Sequence, residues 1–413
     1  MWLDRWSEVV GVLSRNRLRT GLTALSVSWG VFMLVALLGI GSGIANQIYW
    51  DFRDDAINSI WLYPGTSSLP HGGYGEGRPV QFTDADYELL RTSIPGIEHV
   101  AGRFRMGGEH IIRRGAKTSS YDIRAVHPGH QYIEKTIVRS GRFLNDRDLM
   151  ERRKVAVIGV RVAEFLFPAL DPIEDPIGEE IIIGSIPYTV IGVFEDVGGE
   201  NEMRKVYLPI TTARLSYGGG DVIHTLLFTV GDATLEESQR IESQVRQRLA
   251  SRHHFSLADR RAIRVSNNLE EFAEVQQIFT WMDGFIWLVG LGTVAAGIVG
   301  VSNICLISVK ERTREIGLRK ALGAPPRTII TQIVRESVAL TAVSGYLGLL
   351  LGVLLLEALR TWVPENDYIR DPDIALVPAL VTAAVLVLCG AVAGYIPARR
   401  AASVPPVVAL RDS

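Results

Sequence analysis

Long stretches of this 413-residue sequence lack charge. No Asp, Glu, Lys or Arg occurs in residues 20–50, 284–309, 337–356 or 374–398, and these stretches are mostly apolar. A helix of about 20 apolar residues crosses a hydrocarbon core of about 30 Å, whereas a buried helix of a soluble protein rarely stays uncharged for so long. The sequence therefore predicts four transmembrane helices and excludes a fully soluble protein.

The same four stretches also lack histidine. Ion-coupled transporters and proton pumps generally need ionisable groups at membrane depth. The predicted spans do not contain the groups that such a mechanism needs. The sequence also has no GxxxxGK[ST] loop that could hold the phosphates of a nucleotide. If the protein does work across a membrane, we expect the energy to come from another polypeptide.

Cysteine and catalytic clusters are scarce as well. Cys305 and Cys389 both fall in predicted spans, so no disulfide is available to the region between the first two spans. The eight histidines offer no converging set of metal ligands. The sequence also shows no set of residues that could act together as nucleophile, base and orienting group of a catalytic site. No basic stripe with aromatic residues indicates nucleic acid. We expect a non-catalytic chain that binds no metal or cofactor directly.

Basic residues are distributed unevenly around the predicted spans. Residues 1–19 contain four Lys and Arg, 310–336 seven and 399–413 three, whereas 357–373 contains two against five acids. Because positive charge stays on the cytoplasmic side, both termini and 310–336 are predicted to be cytoplasmic. The segment between the first two spans then lies outside; residues 46–282 hold 27 basic and 33 acidic residues, a net charge of −6.

The predicted fold class is an α-helical membrane protein with four transmembrane helices and a large α+β extracytoplasmic domain inserted between the first two. In chain order we predict an amphipathic helix lying on membrane lipid (1–19), the first span (20–50), the extracytoplasmic domain (51–267), a stalk helix continuing into the second span (268–309), a cytoplasmic loop (310–336), the third span (337–356), a short outer loop (357–373), the fourth span (374–398) and a cytoplasmic tail (399–413). The expected location is a bacterial inner membrane.

Residues 268–309 keep helical apolar spacing for 42 residues, about 63 Å of helix. This length exceeds the membrane core, so we predict that the helix projects outward and pairs with the end of the first span. The alternative is a linker helix that stops near Gly284. In the extracytoplasmic domain we predict a helix capped by Thr83 and a hairpin turning at Gly184. We divide this domain into one subdomain from 51–100 and 221–267 and a β-rich insert, 101–220.

Small residues recur at four-residue steps in three of the predicted spans. Such stripes let helix backbones approach closely, either within one chain or between two chains. The predicted packing positions are Gly292, Ala296 and Gly300 in the second span, Gly348 and Gly352 in the third, and Gly390 and Gly394 in the fourth.

The segment 310–324, KERTREIGLRKALGA, is a charged stretch between two apolar runs. Its charges at i, i+3 and i+4 favour a short solvated helix, with Arg312 paired to Glu315 and Glu315 to Arg319. Gly323 is predicted to end that helix in a left-handed conformation, and Pro325 and Pro326 suit the first turn of the next helix. By itself the pattern also fits a solvated linker.

These residues also carry a family likeness. The run GIVGVSNICLISVKERTREIGLRKALGAPPRTIITQIVRESVAL resembles the FtsX-like permease signature of MacB-type ABC transporters. The N-terminal RLRTGLTALSVSWGVFMLVALLGIGSG and the tail PARRAASVPPVVAL are similar to the first span and the C-terminal end of that family. The stretch from SGRFLNDRDLMERRKVAVIG to IGSIPYTVIGVFED resembles its periplasmic core domain.

The resemblance implies a mechanotransmission permease of the type VII ABC class, with Porter-like (51–100, 221–267) and Sabre-like (101–220) subdomains. It implies a dimer of two permease copies, identical or different, with a separate cytoplasmic ATPase that binds ATP and Mg²⁺, and in some members a periplasmic adaptor and an outer-membrane channel. Coupling to the ATPase is assigned to Glu311, Arg312, Arg314, Glu315, Gly317, Arg319, Lys320 and Gly323. The expected function is efflux of an antibiotic, peptide or lipoprotein. The alternative is an ATPase-driven regulator of an extracytoplasmic enzyme that transports nothing.

Overall fold

The structure is a computed structural model that describes residues 17–52, 55–107, 111–168, 176–362, 369–373 and 376–403. These residues form two compact units. One is an α/β unit, Tyr49–Gln277, and the other is a helical unit made of the described residues on either side. Most of the predicted interfacial helix (1–19) and of the predicted tail (399–413) lies outside the described residues.

The described helices are numbered in chain order. They are α1 (Arg17–Asp51), α2 (Asp84–Ser93), α3 (His130–Ile133), α4 (Asp146–Met150), α5 (Val160–Leu166), α6 (Ile210–Ser216), α7 (Leu235–His253), α8 (Asn268–Glu311), α9 (Thr313–Ala321), α10 (Pro326–Trp362) and α11 (Leu376–Ser403), with one 3₁₀ turn at Glu202–Arg204. The predicted cap of α2 is confirmed, because the Thr83 and Asp86 side chains form a capping box.

The α/β unit is built on one twelve-stranded sheet. Its strands are β1 (Ser59–Pro64), β2 (Val100–Arg105), β3 (Ile111–Arg114), β4 (Lys117–Ser120), β5 (Asp122–Val126), β6 (Ile137–Gly141), β7 (Val155–Gly159), β8 (Glu180–Ile183), β9 (Ile186–Glu195), β10 (Lys205–Pro209), β11 (Thr225–Thr229) and β12 (Ile263–Asn267). They lie in the order β12-β1-β11-β2-β5-β10-β7-β9-β8-β3-β4, and β6 pairs with the end of β9. Two pairs, β5 with β10 and β7 with β9, are parallel.

The predicted subdomains share this sheet. Strands β1, β2, β11 and β12 come from the two ends of the segment, and the remaining strands come from the insert. The predicted start of the insert at residue 101 cuts through β2, which pairs with β11, so the insert begins only after Arg105. The predicted hairpin is confirmed as β8 and β9, with Gly184 at a φ of 62°. Strand β10 and helix α6 were not predicted, because Pro209 passes directly from strand into helix without a loop signal.

Every residue of β7, β10 and β11 is buried, so the middle of the sheet is covered on both faces. This is why their sequences, VAVIG, KVYLP and TLLFT, read as continuous rather than alternating apolar runs. The core of the α/β unit is therefore built without disulfides, as the distribution of cysteine requires.

In the helical unit, four helices are long and apolar enough to cross a membrane: α1, α8, α10 and α11. This confirms the four predicted spans. Helix α8 is uninterrupted for 44 residues, about 66 Å, so the alternative of a linker helix ending near Gly284 is wrong. Its first turns belong to the α/β unit, where the Phe272 ring lies 5.7 Å from that of Tyr49 and 5.4 Å from that of Phe52. The start of α8 therefore contacts the end of α1, as predicted for the stalk.

Candidate functional site

The charged segment 310–324 forms a short helix between two sharp breaks. Helix α8 ends at Glu311, and the backbone N–H of Arg312 donates to the carbonyls of Ser308 and Val309. Helix α9 then runs for nine residues. Gly323 follows in the left-handed region with φ +94°, and α10 begins at Pro326. The predicted helix, stop and new helix are confirmed, and Gly323 occupies the conformation that favours glycine.

Side-chain contacts hold α9 against the neighbouring helices. Arg319 donates from Nη1 to Gln332 Oε1 of α10 at 2.8 Å and from Nη2 to Glu315 Oε1 at 2.8 Å. The Lys320 Nζ donates to the Ala402 carbonyl of α11 at 2.8 Å. Two of the predicted coupling residues therefore fasten the segment to the ends of the third and fourth long helices.

The expected ion pair between Arg312 and Glu315 is replaced by another one. Arg312 Nη1 lies 3.5 Å from Glu336 Oε1 of α10. Arg312 sits in the break between two helices, outside the regular helical spacing that would bring it over Glu315. The predicted pair of Glu315 with Arg319 is present at 2.8 Å.

An apolar contact supports the same arrangement. Ile316 packs against a buried cluster formed by Ile329 and Ile333 of α10 with Ala398 and Ala401 of α11. Gly317, the next residue, is the buried position of α9. The inner face of α9 is thus fixed by both polar and apolar contacts, which is more than a solvated linker requires.

The opposite face of α9 presents an exposed stripe. Arg314, Leu318 and Leu322 follow at four-residue steps, and Leu318 and Leu322 are 54% and 81% exposed. Glu311 and Gly323 are exposed beside them. Two neighbouring leucines exposed on a short charged helix form an apolar patch, a kind of surface at which a protein partner or a membrane can bind. Neither leucine is among the predicted coupling residues, although their i, i+4 spacing next to Arg314 is visible in the sequence.

A cavity of about 140 Å³ lies beneath the segment, between α8, α9 and α10. Its apolar wall includes Ile304, Ile333 and Leu340, and its charged wall includes Arg312 and Glu336. Cys305 lies at this wall, with Sγ 3.0 Å from Ser337 Oγ. The segment therefore covers a small amphipathic space and leaves it open towards the charged side chains.

Four of the predicted small residues lie at close helix contacts. A Cβ added to Gly348 or Gly352 would lie 2.3 Å from the Ser28 carbonyl oxygen or 2.2 Å from Val35 Cγ1, both in α1. Added to Gly390 or Gly394 of α11, it would lie 3.0 Å from Thr341 or 2.5 Å from Ser337 of α10. These glycines let α10 approach α1 and let α11 approach α10.

The predicted stripe of α8 is placed differently. An added Cβ at Gly292 would meet nothing within 4 Å among the described residues, Ala296 is exposed, and Gly300 is 3.5 Å from Thr23. The close contacts with α1 are made instead by Gly290 against Leu34 and Gly297 against Val27. Helix α1 covers a neighbouring face of α8, so the packing role of Gly292 and Ala296 stays a prediction.

No catalytic or metal centre emerges from the described part of the chain. Among those residues, no three His, Cys, Asp or Glu side chains are grouped so that they could hold a metal ion. Two histidines make structural contacts: the buried His127 accepts at Nδ1 from the Gly102 N–H at 2.9 Å, and Nε2 of the half-buried His253 lies 3.0 Å from Asp86 Oδ1.

Known proteins resemble both units. Residues 20–248 match the family described as MacB-like periplasmic core domain, and residues 287–406 match the FtsX-like permease C-terminal family. Similar proteins include the macrolide export ATP-binding/permease protein MacB of Rhodospirillum rubrum, 32% identical over 404 residues, and the pyoverdine export ATP-binding/permease protein PvdT of Pseudomonas entomophila, 28% identical over 405 residues. Each covers 96% of this chain.

The chain spans 58% of the length of the MacB relative and 57% of the PvdT relative. A solved structure that overlaps in part is the periplasmic region of MacB from Actinobacillus actinomycetemcomitans, with 20% identity and a TM-score of 0.43, covering 55% of this chain and 96% of that one. The two family matches follow one another along the chain: the first covers most of α1 and of the α/β unit, and the second covers the larger part of α8 with α9, α10 and α11. The chain therefore belongs to the family of MacB-like ABC transporter permeases with an FtsX-like C-terminal domain.

Proposed function

We propose that this chain is the permease subunit of an exporter driven by a separate cytoplasmic ATPase that docks on the segment 310–324. The observation that carries the proposal is the division of α9 into two faces. Its inner face is fastened to α10 and α11 through Arg319 and Lys320, while Arg314, Leu318 and Leu322 point away from the chain. A rigid helix with an exposed apolar stripe can both bind a partner and pass on its movement.

The orientation and the partners belong to the same proposal. The basic residues around α9 favour a cytoplasmic position, with both chain termini on that side and the α/β unit outside the membrane. ATP and Mg²⁺ would bind to the ATPase, and the chain itself would bind neither. Two permease copies would work together, with a periplasmic adaptor and an outer-membrane channel as further partners.

The substrate class is proposed from the relatives. Those proteins are named for export of macrolides and of pyoverdine, and both names join an ATP-binding part to a permease part. We propose that this chain serves efflux of a compound of comparable kind, driven by ATP hydrolysis in an ATPase that binds to it.

The experiment replaces the exposed stripe and measures ATPase binding. The double variant Leu318→Asp, Leu322→Asp is expected to lose the co-purifying ATP-binding subunit and its substrate-stimulated hydrolysis, because charge replaces the apolar contact. We expect a loss of at least about tenfold in each, which corresponds to about 1.4 kcal/mol of binding free energy for the two replacements together. Mass spectrometry identifies the captured subunit, and phosphate release measures hydrolysis.

Leu257→Asp is the matched control, because Leu257 is 53% exposed and lies in the α/β unit. It should leave both measurements unchanged. If the double variant retained the ATP-binding subunit and full stimulated hydrolysis, the docking role of α9 would be wrong.

A further inference from the structure

A cavity of about 680 Å³ opens on the insert of the α/β unit. It lies where β4 passes into β5, between helix α5 and the turn that precedes β10. This volume is within the range of about 300–1,000 Å³ that is usual for small-molecule sites. The long helices contribute no residue to its lining.

Acidic side chains outnumber basic ones in the lining of the cavity, with Asp122, Glu164 and Glu200 against Arg161 and Arg204. Arg161 of α5 donates from Nη1 to Glu164 Oε2 at 2.9 Å and from Nη2 to Glu200 Oε1 at 2.7 Å. A single guanidinium therefore forms ion pairs with two carboxylates. Since both carboxylates line the cavity, they can accept hydrogen bonds from a further cationic group while Arg161 stays in place.

A second cation of the lining, Arg204, has no ion-pair partner among the described residues. Arg204 lines the cavity, is exposed, and forms no ion pair and no side-chain hydrogen bond with the described residues. It lies one helical turn beyond Glu200, and its backbone N–H donates to the Asn201 carbonyl at 3.2 Å. Because Glu200 is already held by Arg161, the positive charge of Arg204 remains available.

An apolar wall lies near these charges. The rings of Tyr121 and Phe165 meet edge to face, with centroids 6.4 Å apart, and Phe165 is 41% exposed. Lys117 fixes the end of α5 here by donating from Nζ to the Phe165 carbonyl at 2.7 Å. Exposed aromatic rings inside a polar cavity offer a contact for an apolar side chain.

We propose that this cavity binds a zwitterion with an apolar side chain, whose carboxylate meets Arg204 and whose ammonium group meets Glu164 and Glu200. The lining holds the carboxylates and the guanidinium that this ligand requires, and the aromatic pair supplies the contact for its body. A free amino acid and a short peptide share this chemistry. The hydroxyls of Ser119 and Ser120, at the end of edge strand β4, add hydrogen-bond donors and acceptors for either ligand.

The test uses the full chain in lipid nanodiscs and isothermal titration calorimetry. The probes are L-phenylalanine and the tripeptide alanyl-phenylalanyl-alanine, the latter free, N-acetylated or C-amidated. We expect the free tripeptide or phenylalanine to bind, and either end modification to weaken tripeptide binding by about tenfold or more, since charge-assisted hydrogen bonds are the strong ones. Equal binding of phenylalanine and the free tripeptide identifies an amino-acid site, whereas binding of the tripeptide alone identifies a peptide site.

Two variants locate the binding. Arg204→Gln should weaken binding of the free ligand about tenfold and leave binding of the C-amidated tripeptide unchanged. Glu200→Gln should weaken binding of the free ligand and leave binding of the N-acetylated tripeptide unchanged. Arg248→Gln is the control, because Arg248 is an exposed arginine on α7, away from the cavity lining. Absence of binding by every probe at millimolar concentration, or equal losses in Arg204→Gln and Arg248→Gln, would overturn the proposal.

Discussion

Glu134 is a buried carboxylate that joins several parts of the sheet. It accepts hydrogen bonds from Arg103 of β2, from Arg124 of β5 at 2.8 and 2.9 Å, and from the Tyr207 hydroxyl of β10 at 2.8 Å. Burial raises its pKa, but the neighbouring His130, Arg103 and Arg124 more than offset this, so the pKa lies well below its usual range. Glu134 is therefore ionised in the folded protein, and it neutralises guanidinium groups that are themselves largely buried.

Replacing this carboxylate should destabilise the α/β unit. We expect Glu134→Gln to lower the free energy of unfolding by about 3–5 kcal/mol, because removal of one partner leaves buried charges uncompensated. Urea unfolding followed by near-ultraviolet circular dichroism measures the loss. Glu151→Gln is the control, since Glu151 forms exposed pairs with Arg147 and Arg153, and it should change stability by less than about 1 kcal/mol.

The lowered pKa of Glu134 determines how the loss of stability in Glu134→Gln depends on pH. A carboxyl whose pKa is lower in the folded state than in the unfolded state stabilises the protein above its unfolded pKa, and this contribution fades as the pH falls through the folded pKa. The stability difference between the natural protein and Glu134→Gln should therefore be constant near neutral pH and shrink below about pH 4. A difference that grew on acidification would contradict this role for Glu134.

At the scale of elements, the glycines of α10 determine how closely it packs against α1. Gly348→Leu would bring a Cβ to 2.3 Å from the backbone oxygen of Ser28, which cannot move without displacing α1. We expect a destabilisation of about 1–3 kcal/mol or more, the usual result of overpacking, seen as a lower thermal midpoint and aggregation in size-exclusion chromatography. Gly292→Leu is the control, because that position of α8 has open space.

A Gly292→Leu chain should therefore remain folded. If Gly292→Leu were as unstable as Gly348→Leu, the loss would come from glycine replacement in any membrane helix and not from the contact with α1. If Gly292→Leu stayed folded but changed its oligomeric state, the predicted packing role of Gly292 would be assigned to a contact between two chains.

How far the sequence predicts the structure depends on whether a feature is local. The break at Gly323 and Pro326, the cap at Thr83 and the turn at Gly184 depend on the backbone preferences of a few adjacent residues, and each is confirmed. The length of α8 was predictable because its apolar spacing has no interruption. These features place the charged segment between two long helices without any knowledge of tertiary contacts.

Features that depend on which face meets which neighbour were not predictable. Glycines occur on more than one face of α8, and the sequence could not decide that Gly290 and Gly297, instead of Gly292, would meet α1. The partner of Arg312 is Glu336, which lies 24 positions away on another helix. The leucines at 318 and 322 would ordinarily be assigned to a core, and only the packing of Ile316 inward shows that they face outward.

At the scale of the whole molecule, the proposed mechanism requires α9 and the α/β unit to lie on opposite sides of the membrane. Single cysteines test this in a chain whose Cys305 and Cys389 are replaced by Ser. Ala321→Cys, exposed at the end of α9, should react with a membrane-impermeant maleimide only after spheroplasts are permeabilised. Gly75→Cys, in an exposed loop of the α/β unit, should react in intact spheroplasts.

The physical reason is the asymmetry of basic residues, since 310–336 holds seven Lys and Arg and 357–373 holds two. If these seven residues lay outside the membrane, the distribution of Lys and Arg would be opposite to the one that determines orientation during insertion. The parent chain without cysteine measures background labelling, and mass increase of the intact protein measures the extent of reaction. Labelling of Ala321→Cys in intact spheroplasts would place Leu318 and Leu322 where no cytoplasmic ATPase can reach them, and the docking proposal would then be wrong even if the family assignment stood.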